Sequence, residues 1–174
     1  MSSKSNTITA LNELGRFLRQ FSRKSISKDD SVINNDLFFD GFQHQLKISE
    51  EHNGWFSKNN LLLAIENWSS LLNTDSLNKW ITNYNFENLT QKKVAIIMAG
   101  NIPLVGFHDF LCALICNHNI IIKQSSNDKH LLPFLLHYIN KLVPELKNRV
   151  TFLEGNLEKF DAVIATGSDN TARY

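Results

Sequence analysis

Val94-Ala-Ile-Ile-Met-Ala99, followed directly by Gly100-Asn-Ile-Pro-Leu-Val-Gly106, is the stretch on which the fold turns. Its first six residues form an unbroken apolar run after Lys92-Lys93, the pattern of a strand buried on both faces. Residues 103–116 then read as a helix. Downstream, Asn119-Ile-Ile-Ile-Lys123 is a second β-branched run, and residues 128–143 read as a helix stopped before Pro144. Val150-Thr-Phe-Leu153 and Asp161-Ala-Val-Ile-Ala165 predict two more strands. Short apolar strands alternating with helical stretches are the mark of βαβ units and a parallel sheet.

Upstream the grammar is helical. Ile8, Leu11, Leu14, Leu18 and Phe21 recur at spacings of three and four, one stripe of an amphipathic helix. Ser27-Lys-Asp-Asp-Ser31 and Asn34-Asn-Asp36 break that pattern with turn and capping residues. Ser57 is placed to cap a helix carrying Leu61, Leu62, Ile65, Trp68, Leu71 and Leu72 on one side. A shorter helix with Leu77, Trp80, Ile81 and Tyr84 follows Asn73-Thr-Asp75. The chain therefore divides into a helical region, residues 1–90, and an α/β region, residues 91–174. No internal repeat or low-complexity segment interrupts it.

Composition narrows the function classes. The 174 residues carry 18 Lys+Arg against 17 Asp+Glu, a net charge of +1, with 43% hydrophobic residues, 7 Gly and 3 Pro. That is the profile of an ordinary globular chain, not of a disordered tail or fibre. A balanced charge offers no basic stripe for nucleic acid. The longest apolar runs fall far short of the ~20 residues that span a bilayer. Two cysteines four residues apart make no disulfide framework. Met1-Ser-Ser-Lys-Ser-Asn6 lacks the apolar core of a signal peptide, so the expected location is cytoplasmic.

Few residues invite a metal. His108, Cys112 and Cys116 run at i, i+4 and i+8, but eight residues rise about 12 Å along a helix. Zinc ligands at about 2.0–2.3 Å cannot close that span, and the expectation is no metal site and two buried thiols acting as small hydrophobes. The remaining histidines, at 44, 52, 118, 130 and 137, read as surface or satisfied core groups. Neither a Walker A loop nor a GxGxxG fingerprint is present. Three strand-end segments remain: Ala99-Gly-Asn-Ile-Pro-Leu-Val-Gly106, Lys123-Gln-Ser-Ser126 and Ala165-Thr-Gly-Ser-Asp169. Ligands of open α/β sheets bind outside the carboxyl ends of the strands, and a Gly-Ser turn opening a helix presents free backbone N–H groups to a phosphate.

The order of these segments resembles the cofactor domain of the aldehyde dehydrogenase superfamily. More closely, Ala99-Gly-Asn-Ile-Pro-Leu-Val-Gly-Phe-His-Asp-Phe-Leu111, Leu131-Leu-Pro133 and Phe160-Asp-Ala-Val-Ile-Ala-Thr-Gly-Ser-Asp-Asn-Thr-Ala-Arg-Tyr174 look like the luminescence-type long-chain acyl-CoA reductases. Asn53-Gly-Trp-Phe-Ser57 and Asn78-Lys-Trp80 are similar to that family's N-terminal helices. The resemblance covers roughly residues 52–174. It implies a Rossmann-like sheet of the aldehyde dehydrogenase type and NADPH-dependent reduction of a long-chain fatty acyl-CoA to the aldehyde through a cysteine thioester, the usual logic of nucleophilic catalysis.

Carried over by motif, Asn101 is the implied oxyanion donor. Lys123, Ser125 and Ser126 are implied at the adenosine ribose, and Thr166, Gly167 and Ser168 at the pyrophosphate. Where NAD-preferring relatives carry an acidic residue three positions after the lysine, this chain has Ser126, with Lys129 close by, so NADPH is the expected cofactor. The family's nucleophilic cysteine lies well downstream of the Thr-Gly-Ser turn. Cys112 and Cys116 precede it, and the sequence stops at Tyr174, a turn or two into the implied helix. The expectation is thus the first half of an NADP-binding domain, inactive alone, with homo-oligomerisation possible. The alternative is a nucleotide-binding or interaction module without catalysis.

Overall fold

The decisive apolar run forms β1 (Lys93–Met98), buried from Val94 onward. In this computed structural model, which describes residues 2–87, 89–157 and 159–167, β1 lies between two parallel neighbours. These are β2 (Asn119–Lys123) and β4 (Ala162–Thr166), with β3 (Val150–Phe152) beyond β2. The order is β3-β2-β1-β4, so the sheet grows outward through β2 and β3 and then returns to the far side of β1. Register aligns Ile164, Ile96, Ile122 and Phe152 in one row. Three of them, Ile96, Ile122 and Phe152, belong to or pack against the central core.

The helices build the other layer. They are α1 (Ser2–Leu18), α2 (Asn35–His52), α3 (Lys58–Leu71), α4 (Thr74–Thr82), α5 (Phe107–Ile115) and α6 (Leu131–Leu142). The stripe predicted for α1 is fully buried at Leu11, Leu14 and Leu18, where Phe17 joins it, and only partly buried at Ile8; Phe21 is fully buried too but lies beyond the end of the helix. Phe17 stacks on Tyr138 of α6 at 4.6 Å and meets Phe42 of α2 at 5.5 Å between ring centroids. Trp68 of α3 sets its ring edge-to-face against Phe107 of α5 at 4.8 Å. The helical half and the α/β half thus share one hydrophobic core. No helix among the described residues is long and apolar enough to cross a membrane.

Several boundaries differ from the sequence reading. Ser57 caps α3 as expected, accepting from the Asn60 N–H, but Leu71 is exposed rather than part of the buried stripe. Asn34-Asn-Asp36 does not merely break a helix; it starts α2, with Asn34 in the left-handed region at φ 59°. Residues 103–106 are turns, and α5 begins only at Phe107. Residues 128–130 lie ahead of α6. Both delayed starts have one cause, described below. At the other edge, Val163 and Ile164 of β4 remain exposed.

Candidate functional site

Because all four strands are parallel, their carboxyl ends open on one edge. Ala165, Ile97 and Lys123 stand in a single row across β4, β1 and β2, so the three loops leave the sheet at the same level. Adjacent strands lie about 4.8 Å apart, which brings the segments beginning at Gly100, Gln124 and Gly167 within about 10 Å of one another. In sheets of this kind the crevice forms where strand order reverses, here between β1 and β4.

The loop after β1 is held tightly. Gly100 packs directly on the loop after β2: a Cβ at this position would lie 2.4 Å from Ser125 Oγ. Gly106 is pressed against Met98, whose Cγ would lie 2.4 Å from an added Cβ. The two glycines that frame residues 101–105 therefore serve close packing. Between them Leu104 is buried with φ 58°, and its N–H donates to Asp128 Oδ2 at 3.3 Å. That contact explains both delayed helices, since it winds residues 101–106 into turns and uses Asp128 as an anchor instead of as the first turn of α6. Asn101 is exposed on this braced loop.

Asp128 is itself unusual. Its Oδ1 is buried with no hydrogen-bond partner among the described residues. Burial pushes its carboxyl up to about 6, against the smaller opposing effect of the Leu104 N–H. A carboxylate without a cationic partner is disfavoured in such a place.

The loop after β2 borders a second feature. A cleft of about 370 Å³ opens between the ends of β2 and β3, lined among others by Lys123, Gln124, Ser126, Lys129, Phe152 and Glu154. Lys129 and Glu154 face each other across it at 3.8 Å. Ser126 is exposed and Ser125 half-buried against Gly100. Two ammonium groups and a hydroxyl are a donor set suited to a phosphorylated ribose, with the Phe152 ring as an apolar wall and Glu154 as the opposing charge.

At β4, the Thr166 hydroxyl donates to Asp109 Oδ2 at 2.8 Å, tying the strand end to the first turn of α5. A carboxylate accepts only, so the proton of Thr166 is committed to Asp109. Gly167 is exposed, and Ser168 lies outside the described residues.

The two cysteines do not form a metal centre. Cys112 Sγ lies 3.8 Å from both ring nitrogens of His108, and no group of three or more His, Cys, Asp and Glu among the described residues could hold an ion. Both thiols are half-buried, not fully buried as the sequence suggests. They line an apolar groove of about 220 Å³ with Trp80, Tyr84 and Phe86. Burial, with smaller contributions from Asp109 and Cys116, pushes the Cys112 thiol up, the opposite of what a nucleophile needs.

Sequence reasoning found the three strand-end loops but missed Asp109, Asp128 and Glu154, which reach them from other elements. It also assigned no role to Asn53. Against known proteins, a family model described as acyl-CoA reductase (LuxC) matches residues 5–174. No curated protein matches the chain.

Proposed function

Because the chain belongs to the LuxC family of acyl-CoA reductases, we propose that its sheet edge binds NADPH and presents Asn101 to the acyl carbonyl in the reduction of a long-chain fatty acyl-CoA to its aldehyde. What supports this reading is the convergence of Gly100–Asn101, Lys123–Ser126 and Thr166–Gly167 on one edge of a parallel sheet ordered β3-β2-β1-β4, the arrangement of a Rossmann-like sheet. NADPH, when bound, supplies the hydride. Lys123 and Ser126 hold the adenosine ribose in the cleft beside β2, and Lys129 balances the 2′-phosphate. The turn at Thr166–Gly167 accommodates the pyrophosphate through its backbone, with the Thr166 hydroxyl fixing that turn to Asp109.

Asn101 donates its side-chain amide to the oxygen that gains charge as a thiolate adds to the thioester. Cys112 and Cys116 are not that thiolate. They sit in the groove beside α4, where burial pushes the Cys112 thiol up and disfavours its thiolate.

The test is a fluorescence titration of the chain with NADPH and NADH. The reading expects NADPH to bind more tightly, with Lys123→Ala and Lys129→Ala both weakening it and Lys129→Ala removing most of the preference over NADH. Absence of NADPH binding to the folded chain would sink it. In an enzyme that also carries the nucleophilic cysteine, Asn101→Ala should cost about 10²–10³ in turnover, the worth of one oxyanion donor, with cofactor affinity largely spared.

A further inference from the structure

Asn53 lies 47 residues from one of these loops and 74 from the other, yet its side chain touches both. It is buried, at 5% exposure, just after α2. Its Nδ2 donates to Gly100 O at 2.8 Å and to Asn127 O at 3.1 Å, while its Oδ1 accepts from the Trp55 N–H at 3.0 Å. An asparagine amide has two donor hydrogens and one carbonyl, and here every one is used. The two acceptors belong to different strand-end loops, and those loops are themselves in contact through Gly100 and Ser125.

We propose that Asn53 is a positioning residue that locks the loop carrying Asn101 to the loop carrying Ser125 and Ser126, making the helical half of the chain part of the site. The proposal deepens the NADPH reading and rests on it for the site's purpose. The bonding pattern is specific: any residue that donates once holds only one loop, and an apolar residue takes the side-chain donor from both half-buried carbonyls. The Oδ1 bond to Trp55 fixes the rotamer, so that both N–H groups point at the sheet edge. Asp128 adds a second link between the two loops, accepting from the Leu104 N–H, whereas Asn53 reaches both backbones from the helical half.

Asn53→Asp is the test, because it keeps size, shape and the Trp55 contact while setting a carboxylate oxygen against two carbonyls. Hydrogen exchange of the intact chain is read at residues 99–105 and 124–128, alongside NADPH affinity at a temperature where circular dichroism shows wild type and variant fully folded. The expected result is exchange at least about tenfold faster in both segments, the scale set by one buried hydrogen bond, with α1 and α3 unchanged and NADPH binding weakened several-fold. Unchanged exchange in the two segments, or faster exchange everywhere together, overturns the proposal. So does unchanged NADPH affinity in a variant whose loops have loosened. Should the wild type bind no NADPH, the cofactor reading fails, and the exchange result alone still decides whether Asn53 locks the loops. Should Asn53→Asp not fold, Asn53→Ser keeps the acceptor for Trp55, removes the double donation and is read in the same way.

Discussion

Gly100 and Ser125 are in contact across the ends of β1 and β2: a Cβ on the glycine would lie 2.4 Å from Ser125 Oγ and 2.7 Å from Ser125 Cβ. Gly100→Ala must therefore push the two loops apart. Overpacking of this kind costs about 1–3 kcal/mol, and chemical denaturation should show a loss in that range. Because the severe clash is with Ser125 alone, Asn127 Cβ standing off at 3.2 Å, Ser125→Gly placed alongside should recover much of it. Two independent losses that simply add would show that the loops are not in contact.

Asp128 makes stability depend on pH in the direction opposite to most carboxylates. Its carboxyl titrates at about 6 in the folded chain against an ordinary 3.8, so between those values the folded state holds a proton that the unfolded state has lost. The contribution of Asp128 is then a stability that falls as pH rises from about 4 to about 6 and stays low above it. The difference corresponds to about 3 kcal/mol. Asp128→Asn should stabilise the chain at pH 7 and leave it almost unchanged at pH 4, read from urea midpoints at the two values. Equal effects at both would show that Asp128 titrates normally.

How much of this was legible in the sequence follows from the range of the interactions. The strands were readable because Val94–Met98 and Ile120–Ile122 are continuous apolar runs, a local signal that burial confirms. The buried face of α1 was readable for the same reason. The starts of α5 and α6 were not, since the contact between Leu104 and Asp128 that delays both spans 24 residues. α2 carried a signal that was passed over: Phe38, Phe42 and Leu46 stand four apart and are buried, but the polar triplet at residues 34–36 reads locally as a break. At the site, Lys123 and Thr166 declare themselves as strand ends. Asn53 and Asp109 do not, because their partners lie far along the chain.

Phe17 is the residue most exposed to test in the shared core. It is fully buried and touches the rings of Phe21, Phe42 and Tyr138, so it joins α1 to α2 and α6. Phe17→Ala should cost about 3–5 kcal/mol, the range for a large ring lost from a core. Phe17→Leu should cost clearly less. If the helical half were an independent unit, thermal unfolding of the alanine variant would split into two transitions; one shared core predicts a single transition moved to lower temperature.

Thr166 separates two ways in which the β4 turn could serve a dinucleotide. If its hydroxyl contacted the pyrophosphate directly, Thr166→Val would weaken NADPH and Asp109 would be irrelevant. The structure commits that hydroxyl to Asp109 at 2.8 Å, so the two residues should act as a pair. Thr166→Val is expected to cost about 1–3 kcal/mol of stability, because it leaves a half-buried carboxylate without its donor. Asp109→Asn, whose amide oxygen can still accept from Thr166, should cost less, and the double variant should fall short of the sum of the single losses. NADPH affinity should follow the same order, since a turn that has lost its tether to α5 no longer holds its backbone N–H groups in place. An Asp109→Ala variant, which cannot accept from Thr166, that loses affinity as Thr166→Val does would place the effect in the tether. Affinity kept in Asp109→Ala beside a loss in Thr166→Val would return the hydroxyl to direct contact with the phosphate.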